Sequence, residues 1–235
     1  MQSNNFNYAG KELEAMSFAN NYYTALIRLL SPYLGKKVAE VGAGIGNLST
    51  LILKENISNL TAVEPSENLF PLLCETLKEE SNKVAVNNYF HEISHSYQSY
   101  FDSILYVNVL EHIEDDKKEL EYIKHSLKQN GHVCIFVPAL SWLYSDFDKS
   151  IGHYRRYHKK ELVRLIQSSG FKIIKAEYID FFGIFPWYIS LVLLRNKLNV
   201  KHVKLYDKYI FPVTKIVESI FSLPIGKNLL LVAQK

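Results

Sequence analysis

Cysteine is nearly absent. The chain of 235 residues holds two, Cys74 and Cys134, far apart and set in apolar or helical contexts. A disulfide scaffold is excluded, and both are read as buried thiols of a reducing compartment. Metal-ligand spacing of Cys and His is missing too. The eight histidines are scattered, so no metal is expected. Nor is there a run long enough to cross a bilayer. The longest stretch free of Asp, Glu, Lys, Arg and His, Phe181 to Leu194, has 14 residues with Gly183 and Pro186 inside it, whereas a spanning helix takes about 20. The N-terminus is polar and carries no apolar secretory segment, which points to the cytoplasm. Repeats and low-complexity stretches are absent. What is present is a 48% hydrophobic composition, which suits one globular domain over residues 1–235 with a large core.

Net charge is +3 but unevenly spread. Residues 1–150 contain 12 Lys and Arg against 19 Asp and Glu; residues 151–235 contain 15 against 5. Two readings fit: the parts attract each other on one surface, or the C-terminal part faces something anionic.

The most informative segment is Val38 to Ser49. An apolar run ending at Val41 breaks into Gly42, Gly44 and Gly46, and helical spacing follows from Leu48. This reads as a strand, a tight turn and a helix start, where glycine lets a ligand approach bare backbone. A second apolar run, Leu60 to Val63, ends in Glu64, an acid placed to accept from ribose hydroxyls. The spacing disfavours a dinucleotide: a Gly-x-Gly-x-x-Gly fingerprint needs glycine at position 47, which is Asn47. Glu40, two residues before the first glycine, would repel a pyrophosphate. It would attract a cofactor with a cationic amino-acid end and no phosphate, such as S-adenosylmethionine.

Periodicity supplies the rest. Helix is expected over 11–31, 46–56, 66–79, 115–129 and 159–168. Strands are expected over 37–41, 60–64, 83–87, 102–107, 132–137, 171–179 and 228–234. Residues 88–100 read as loop. About twenty residues after the fifth strand form a long loop, and 181–222 read as apolar helix with basic interruptions. The expected fold is therefore α/β: a Rossmann-like, seven-stranded, mostly parallel sheet with helices on both faces. A helical cap, 181–222, is inserted before the last strand. Ligands of such sheets bind outside the carboxyl ends of the strands, so the loops after 41, 64, 87, 107 and 137 should converge.

Glu40-Val41-Gly42-Ala43-Gly44-Ile45-Gly46 resembles the first motif of the class I S-adenosylmethionine-dependent methyltransferases. Glu64-Pro65-Ser66 is similar to the family's ribose-binding turn, and Phe101 to His112 to its fourth-strand motif. Leu127 to Pro138 is similar to its fifth-strand motif, and 228–234 to its antiparallel seventh strand. The resemblance implies a cofactor cradle made by Glu40, Gly42, Ala43, Gly44, Gly46 and Asn47, with Glu64 and Pro65 at the ribose. It also implies Asn108 and Val109 under the methionine. One departure stands out: no acid follows the third strand, where Asn87-Asn88-Tyr89-Phe90 occurs. That leaves adenine to Tyr89 stacking or to backbone. A second segment, Gly152-His153-Tyr154-Arg155-Arg156-Tyr157, resembles a Gly-His-x-Arg-Arg-Tyr branch of bacterial methyltransferases whose acceptors are largely unassigned.

Methyl transfer from a sulfonium is a direct displacement, and positioning can supply much of the rate. A hydroxyl acceptor also needs its proton removed, which suits histidine. His153, in the loop after the fifth strand, is the first candidate base; shaping that loop is its alternative role. His112 is the second, with helix capping as its alternative. Arg155 and Arg156 could grip a carboxylate or phosphate. Neighbours in an extended stretch point to opposite faces, so one should face inward while the other pairs with Asp146 or Asp148. Tyr22, Tyr23, Trp142 and Tyr144 could wall the acceptor site or face the sulfonium. In the cap, Trp187 and its aromatic neighbours precede Arg195, Lys197, Lys201 and Lys204, which suits an amphipathic or anionic acceptor. The same composition over 181–204 suits a peripheral membrane contact, and the cap could equally form a homodimer interface.

The reading favoured on these grounds is an enzyme methylating a small organic acceptor, on oxygen first, with nitrogen and carbon left open. A nicotinamide oxidoreductase is disfavoured by Glu40, Gly46 and Asn47. A nucleic-acid methyltransferase is disfavoured because Asn108-Val-Leu-Glu111 stands where an Asp/Asn-Pro-Pro-Tyr motif would be. A catalytically silent cofactor-binding protein is the remaining alternative.

Overall fold

The computed structural model describes residues 6–8, 16–196, 199–221 and 223–235. Its centre is one sheet in the order β3-β2-β1-β4-β5-β7-β6. The strands are β1 Lys37–Val41, β2 Asn59–Val63, β3 Lys83–Val86, β4 Phe101–Val107, β5 Leu127–Pro138, β6 Lys172–Ile179 and β7 Asn228–Gln234. Pairings among β1 to β5 are parallel, and β7 runs antiparallel between β5 and β6. Strand order reverses between β1 and β4, so a crevice opens there at the carboxyl ends. Helices cover both faces, which is why β1, β4 and β7 read as nearly continuous apolar runs. One core layer centres on Ile104, Tyr106, Ile135 and Leu231; the other centres on Val38, Leu60, Leu105 and Leu230.

Several helices are shorter than periodicity predicts. The one after β1 is Ser49–Ile52, and the one after β2 is Phe70–Thr76, whose start is set by Pro71. The helix expected over 115–129 spans Asp116–Ser126. Leu127 turns extended to pair with Phe101, and Asn130 takes a φ of +64° inside the strand. Residues 88–100 are not plain loop: Phe90–Ile93 is helical and Ser94–Tyr97 a 3₁₀ turn. Phe90 is buried against Phe101 and Tyr106 there, and that burial overrides a polar local sequence. Helix 159–168 and strand 228–234 match their expected bounds. Cys134 is buried as expected, whereas Cys74 is only half-buried; both are free.

The N-terminal helix is described over Asn20–Leu30; the expected stretch from 11 to 15 lies outside the described residues. No side chain of its own caps its start. Asp207, far along the chain in the cap, does so instead: its carboxylate accepts from Asn21 N at 3.0 Å and Tyr22 N at 2.9 Å. This places an anion on the positive end of the helix and pins the cap to it.

The cap is helical as expected. Ile184–Trp187 continues as a π-helix over Tyr188–Leu193. A second helix runs Val200–Leu205, widens to a π turn over Tyr206–Ile210 and resumes as Phe211–Ile220. Pro212 cannot donate, and its ring would meet the carbonyl one turn back; the wide turn relieves that clash. Lys197 lies outside the described residues. Among those described, no helix is long and apolar enough to cross a membrane.

Candidate active site

The three glycines after β1 all have positive φ: Gly42 +70°, Gly44 +58° and Gly46 +90°. At Gly42 a Cβ would lie 2.4 Å from Val109 Cγ2. Glycine there is needed for packing against the turn after β4, and not only for a ligand. Glu64, at the end of β2, reaches across. Its Oε2 accepts from Gly44 N at 2.8 Å and its Oε1 from Ser66 N at 2.9 Å. Each carboxylate oxygen can accept a second bond, so capacity for hydroxyls remains. Burial pushes its carboxyl up, opposed by those two backbone bonds. Glu40 is buried and accepts from Ser49 Oγ. Burial, against the opposing Ser49 bond, pushes its pKa up to about 8.

The other expected cofactor residues surround this turn. Ala43 is buried, and Asn47 bonds the Tyr23 side chain, which ties the N-terminal helix to the glycine turn. Pro65 is half-buried between Glu64 and Ser66. Tyr89 stacks on His91, with centroids 5.5 Å apart and planes at 23°. Asn87 Nδ2 donates to the Glu64 carbonyl at 2.9 Å, so the turns after β2 and β3 are joined. Asn108 has a φ of +54°, a region asparagine tolerates. Its N–H donates to Phe136 O at 2.7 Å, and its Nδ2 lies 3.4 Å from Tyr22 OH.

From Asn108 a cavity of about 600 Å³ opens beneath the cap. Tyr22, Tyr23, Phe211 and Trp187 supply aromatic wall, while Glu111, His112, His153 and Arg156 form a polar side. Lys227 also lines it, 2.9 Å from Asp180 Oδ2.

Asp148 organises the polar side. It starts from a capping position: Ser145 N and Oγ donate to its Oδ2 at 2.9 and 2.8 Å. Its Oδ1 meets His153 Nδ1 at 2.9 Å, Arg156 Nε at 2.9 Å and Arg156 Nη2 at 2.8 Å. Burial alone would raise its pKa, but the His153 and Arg156 contacts outweigh it and hold the carboxyl below the usual range. His153 Nε2 faces Glu111, 3.7 Å from Oε1. Glu111 is fully buried, and neither carboxylate oxygen has a hydrogen-bond partner. Burial pushes its pKa up to about 7, opposed by the charge of His153. The His112 ring packs edge-on against His153 at 4.6 Å; burial and then His153 push its pKa down to about 4, so it is neutral.

Three expected acceptor residues do not line the cavity. Arg155 turns away, donating to Asp116 Oδ2 and to Glu114 O, each at 2.7 Å. The inward residue of the pair is Arg156, yet it is also the one bound to Asp148. The expected division of labour is thus half corrected, because Asp116, at the start of helix Asp116–Ser126, takes Arg155. Tyr144 OH donates to His153 O at 2.6 Å, a loop brace. Trp142 is half exposed, edge-on to Tyr188. Trp187 does line the cavity, with Nε1 donating to Leu143 O at 3.1 Å and its face 4.5 Å from the Arg156 guanidinium. The sequence offers Glu111 only as the neighbour of His112, and Asp148 only as a partner for Arg155 or Arg156; nothing local marks Asp148 as the residue that also holds His153.

Residues 16–176 match the family described as a methyltransferase domain. The chain belongs to this methyltransferase-domain family. No curated protein matches it. Solved structures of similar fold include a SAM-dependent methyltransferase of Archaeoglobus fulgidus, 19% identical, with a TM-score of 0.64, covering 95% of this chain and 98% of that one. Another is an S-adenosylmethionine-dependent methyltransferase of Mesorhizobium loti, 13% identical, with a TM-score of 0.62, covering 92% and 98%. A third is the 1,6-didemethyltoxoflavin-N1-methyltransferase of Burkholderia thailandensis, solved with S-adenosylhomocysteine. It is 16% identical, with a TM-score of 0.61, covering 96% and 81%. At such identities the likeness concerns the fold. The methyltransferase expected from the glycine turn, with S-adenosylmethionine as its cofactor, is borne out by this family, and the oxidoreductase alternative falls away.

Proposed function

We propose that this methyltransferase moves a methyl group from S-adenosylmethionine to an oxygen of a small acceptor that is anionic or amphipathic. The observation that carries the reading is the cavity beneath the cap, with aromatic walls, a buried histidine–carboxylate side and Asn108 at its edge. The cofactor lies along Glu40, Gly42, Ala43, Gly44, Gly46 and Asn47, its ribose at Glu64 and Pro65, its adenine by Tyr89, its methionine over Asn108 and Val109. The acceptor enters between Tyr22, Tyr23 and Trp187. Arg156 and Lys227 give the cavity a cationic side that suits an acid group, since Arg156 keeps two N–H donors beyond those given to Asp148 and Ala139.

Oxygen is favoured because a hydroxyl must lose a proton, and the cavity is furnished for that. His153 is oriented by Asp148 through Nδ1, so Nε2 is the atom available to a substrate proton. As the reaction proceeds, the O–H proton passes to this side of the cavity. The new C–O bond forms, and the C–S electron pair returns to sulfur. His112 stays neutral beside it. The whole chain acts as one domain of the Gly-His-x-Arg-Arg-Tyr branch, with the cap selecting the acceptor.

The outer face of the cap supports a location for the work. Leu193, Ile216, Ile220 and Phe221 are exposed on the cap, and so are Arg195, Lys201 and Lys204. Such a face suits an anionic membrane surface inside the cytoplasm, where each basic residue adds about 1 kcal/mol; a homodimer through this face is the competing occupant. No nucleic-acid partner is proposed.

The test is transfer of label from S-adenosylmethionine into a metabolite and lipid extract, followed by isolation of the product. His153→Ala should lower turnover on that acceptor by about 10²–10⁴-fold with cofactor affinity unchanged. Normal turnover would remove His153 as the base. Sedimentation with anionic liposomes, but not neutral ones, is expected for the membrane contact; a concentration-dependent dimer without liposome binding would replace it.

A further inference from the structure

Glu111, His112 and His153 each present one ligand-type atom, and these three atoms lie within 4.8 Å of one another. We propose that they form a binding site for a divalent first-row transition-metal cation at the edge of the acceptor cavity. Two observations carry this.

The first is the carboxylate. Glu111 has no exposed surface and neither oxygen has a hydrogen-bond partner. A buried carboxylate without a partner is costly, and the usual remedies are a paired charge or a metal.

The second is the state of the two imidazoles. His153 Nδ1 is committed to Asp148 Oδ1 at 2.9 Å. His112 Nδ1 lies beside Gly152. When one ring nitrogen donates to a carboxylate or carbonyl, the other carries the lone pair, and this outer-shell arrangement orients histidine metal ligands. His153 has it here. The lone pair of His153 then points at Glu111 Oε1, 3.7 Å away. That spacing is too long for a hydrogen bond, so the two atoms are not committed to each other.

Two nitrogens and one carboxylate oxygen suit zinc, manganese, cobalt or iron better than calcium or magnesium, which prefer all-oxygen shells. Bonds of about 2.0–2.2 Å require the three atoms to close by roughly 1 Å from their present spread. Three protein ligands leave positions open on the cavity side for an acceptor oxygen. Held there, a hydroxyl loses its proton more readily, and His153, with Nε2 on the cation, would then act through the cation in place of taking the proton directly; that role rests on the methyl-transfer reading above, whereas cation binding does not. Sequence spacing could not show the site, because position 153 is far from 111 and 112 and belongs to a different loop.

The experiment is calorimetric titration of the untagged, chelator-stripped full chain with Co²⁺, Zn²⁺ and Mn²⁺, together with the visible absorption of Co²⁺. One cation per chain is expected, with absorption bands of mixed nitrogen and oxygen ligation. Glu111→Gln and His153→Ala should each weaken Co²⁺ binding by at least about a hundredfold. Asp148→Asn should weaken it about 10–100-fold as an outer-shell change, while His95→Ala changes nothing. Circular dichroism monitors folding; Glu111→Gln, which keeps the side-chain shape, decides the matter if His153→Ala fails to fold. Absence of binding at millimolar Co²⁺, or binding that Glu111→Gln leaves intact, overturns the proposal. The same calorimeter measures S-adenosylmethionine. A chain that takes up cofactor and no cation refutes this site alone; one that takes up cation and no cofactor refutes the methyl-transfer reading alone.

Discussion

Binding of S-adenosylmethionine should expel a proton from Glu40. The carboxyl is buried, and its pKa in the folded protein is about 8. At pH 7 such a group holds about nine-tenths of a proton. The cofactor brings a sulfonium and an ammonium. A single positive charge at roughly 6 Å, in surroundings of effective dielectric near 20, stabilises the carboxylate by about 2.8 kcal/mol. That equals about two pKa units, enough to leave only about a tenth of the protons bound. The release at pH 7 should therefore be about 0.8 proton per cofactor. Calorimetry in buffers of different ionisation enthalpy measures it directly. Glu40→Gln keeps the acceptor for Ser49 and should abolish the release; the cofactor's own ammonium then sets the small remainder. Affinity for the wild type should rise as pH climbs toward 8, and this rise should vanish in the variant. The empty protein carries the opposite linkage. Because the folded pKa lies above the unfolded value of 4.5, Glu40 supports folding at low pH and loses that support as pH rises through about 8. Glu40→Gln should thus gain on the wild type between pH 5 and pH 9. Equal proton release in the two proteins, or equal affinity at every pH, would refute the placement of the cationic end beside Glu40.

Four further outcomes follow from contacts described above. Glu64→Gln, which spares the Gly44 and Ser66 N–H groups more than alanine would, should weaken the cofactor by about tenfold or more, at 1.5–3 kcal/mol per charged bond. Deoxyribose analogues should lose little further affinity in that variant. Gly44→Val forces a β-branched residue to a φ of +58° and should abolish cofactor binding, checked by calorimetry, while the circular dichroism spectrum survives. Asp207→Ala removes the remote cap from the N-terminal helix and should cost about 1–2 kcal/mol in urea unfolding, with faster amide exchange at Asn21 and Tyr22. Trp187→Ala takes away a cavity wall and should raise the acceptor KM with cofactor affinity near normal; unchanged KM would move the acceptor elsewhere.

Local sequence determined a large part of this protein. Strand Lys37–Val41, the glycine turn and Glu64 are set by short-range rules: apolar period, φ beyond the reach of most side chains, and an acid at a strand end. The bounds of helix Lys159–Ser168 and strand Asn228–Gln234 were legible for the same reason. Those rules were enough to name the fold and the cofactor. They failed at Phe90 and Leu127, where burial against Phe101 and strand pairing overrode local preference. Only the tertiary structure decided which distant groups meet. Arg155 and Arg156 are adjacent in sequence, yet Asp116 takes one and Asp148 the other. Asp207 caps a helix that begins near residue 20. Glu111, unremarkable in a turn after β4, becomes a buried carboxylate without a hydrogen-bond partner because the loop carrying His153 folds over it. Periodicity and turn chemistry act over a few residues, but charge pairing and burial act through space, and they become defined only when the sheet brings its loops together.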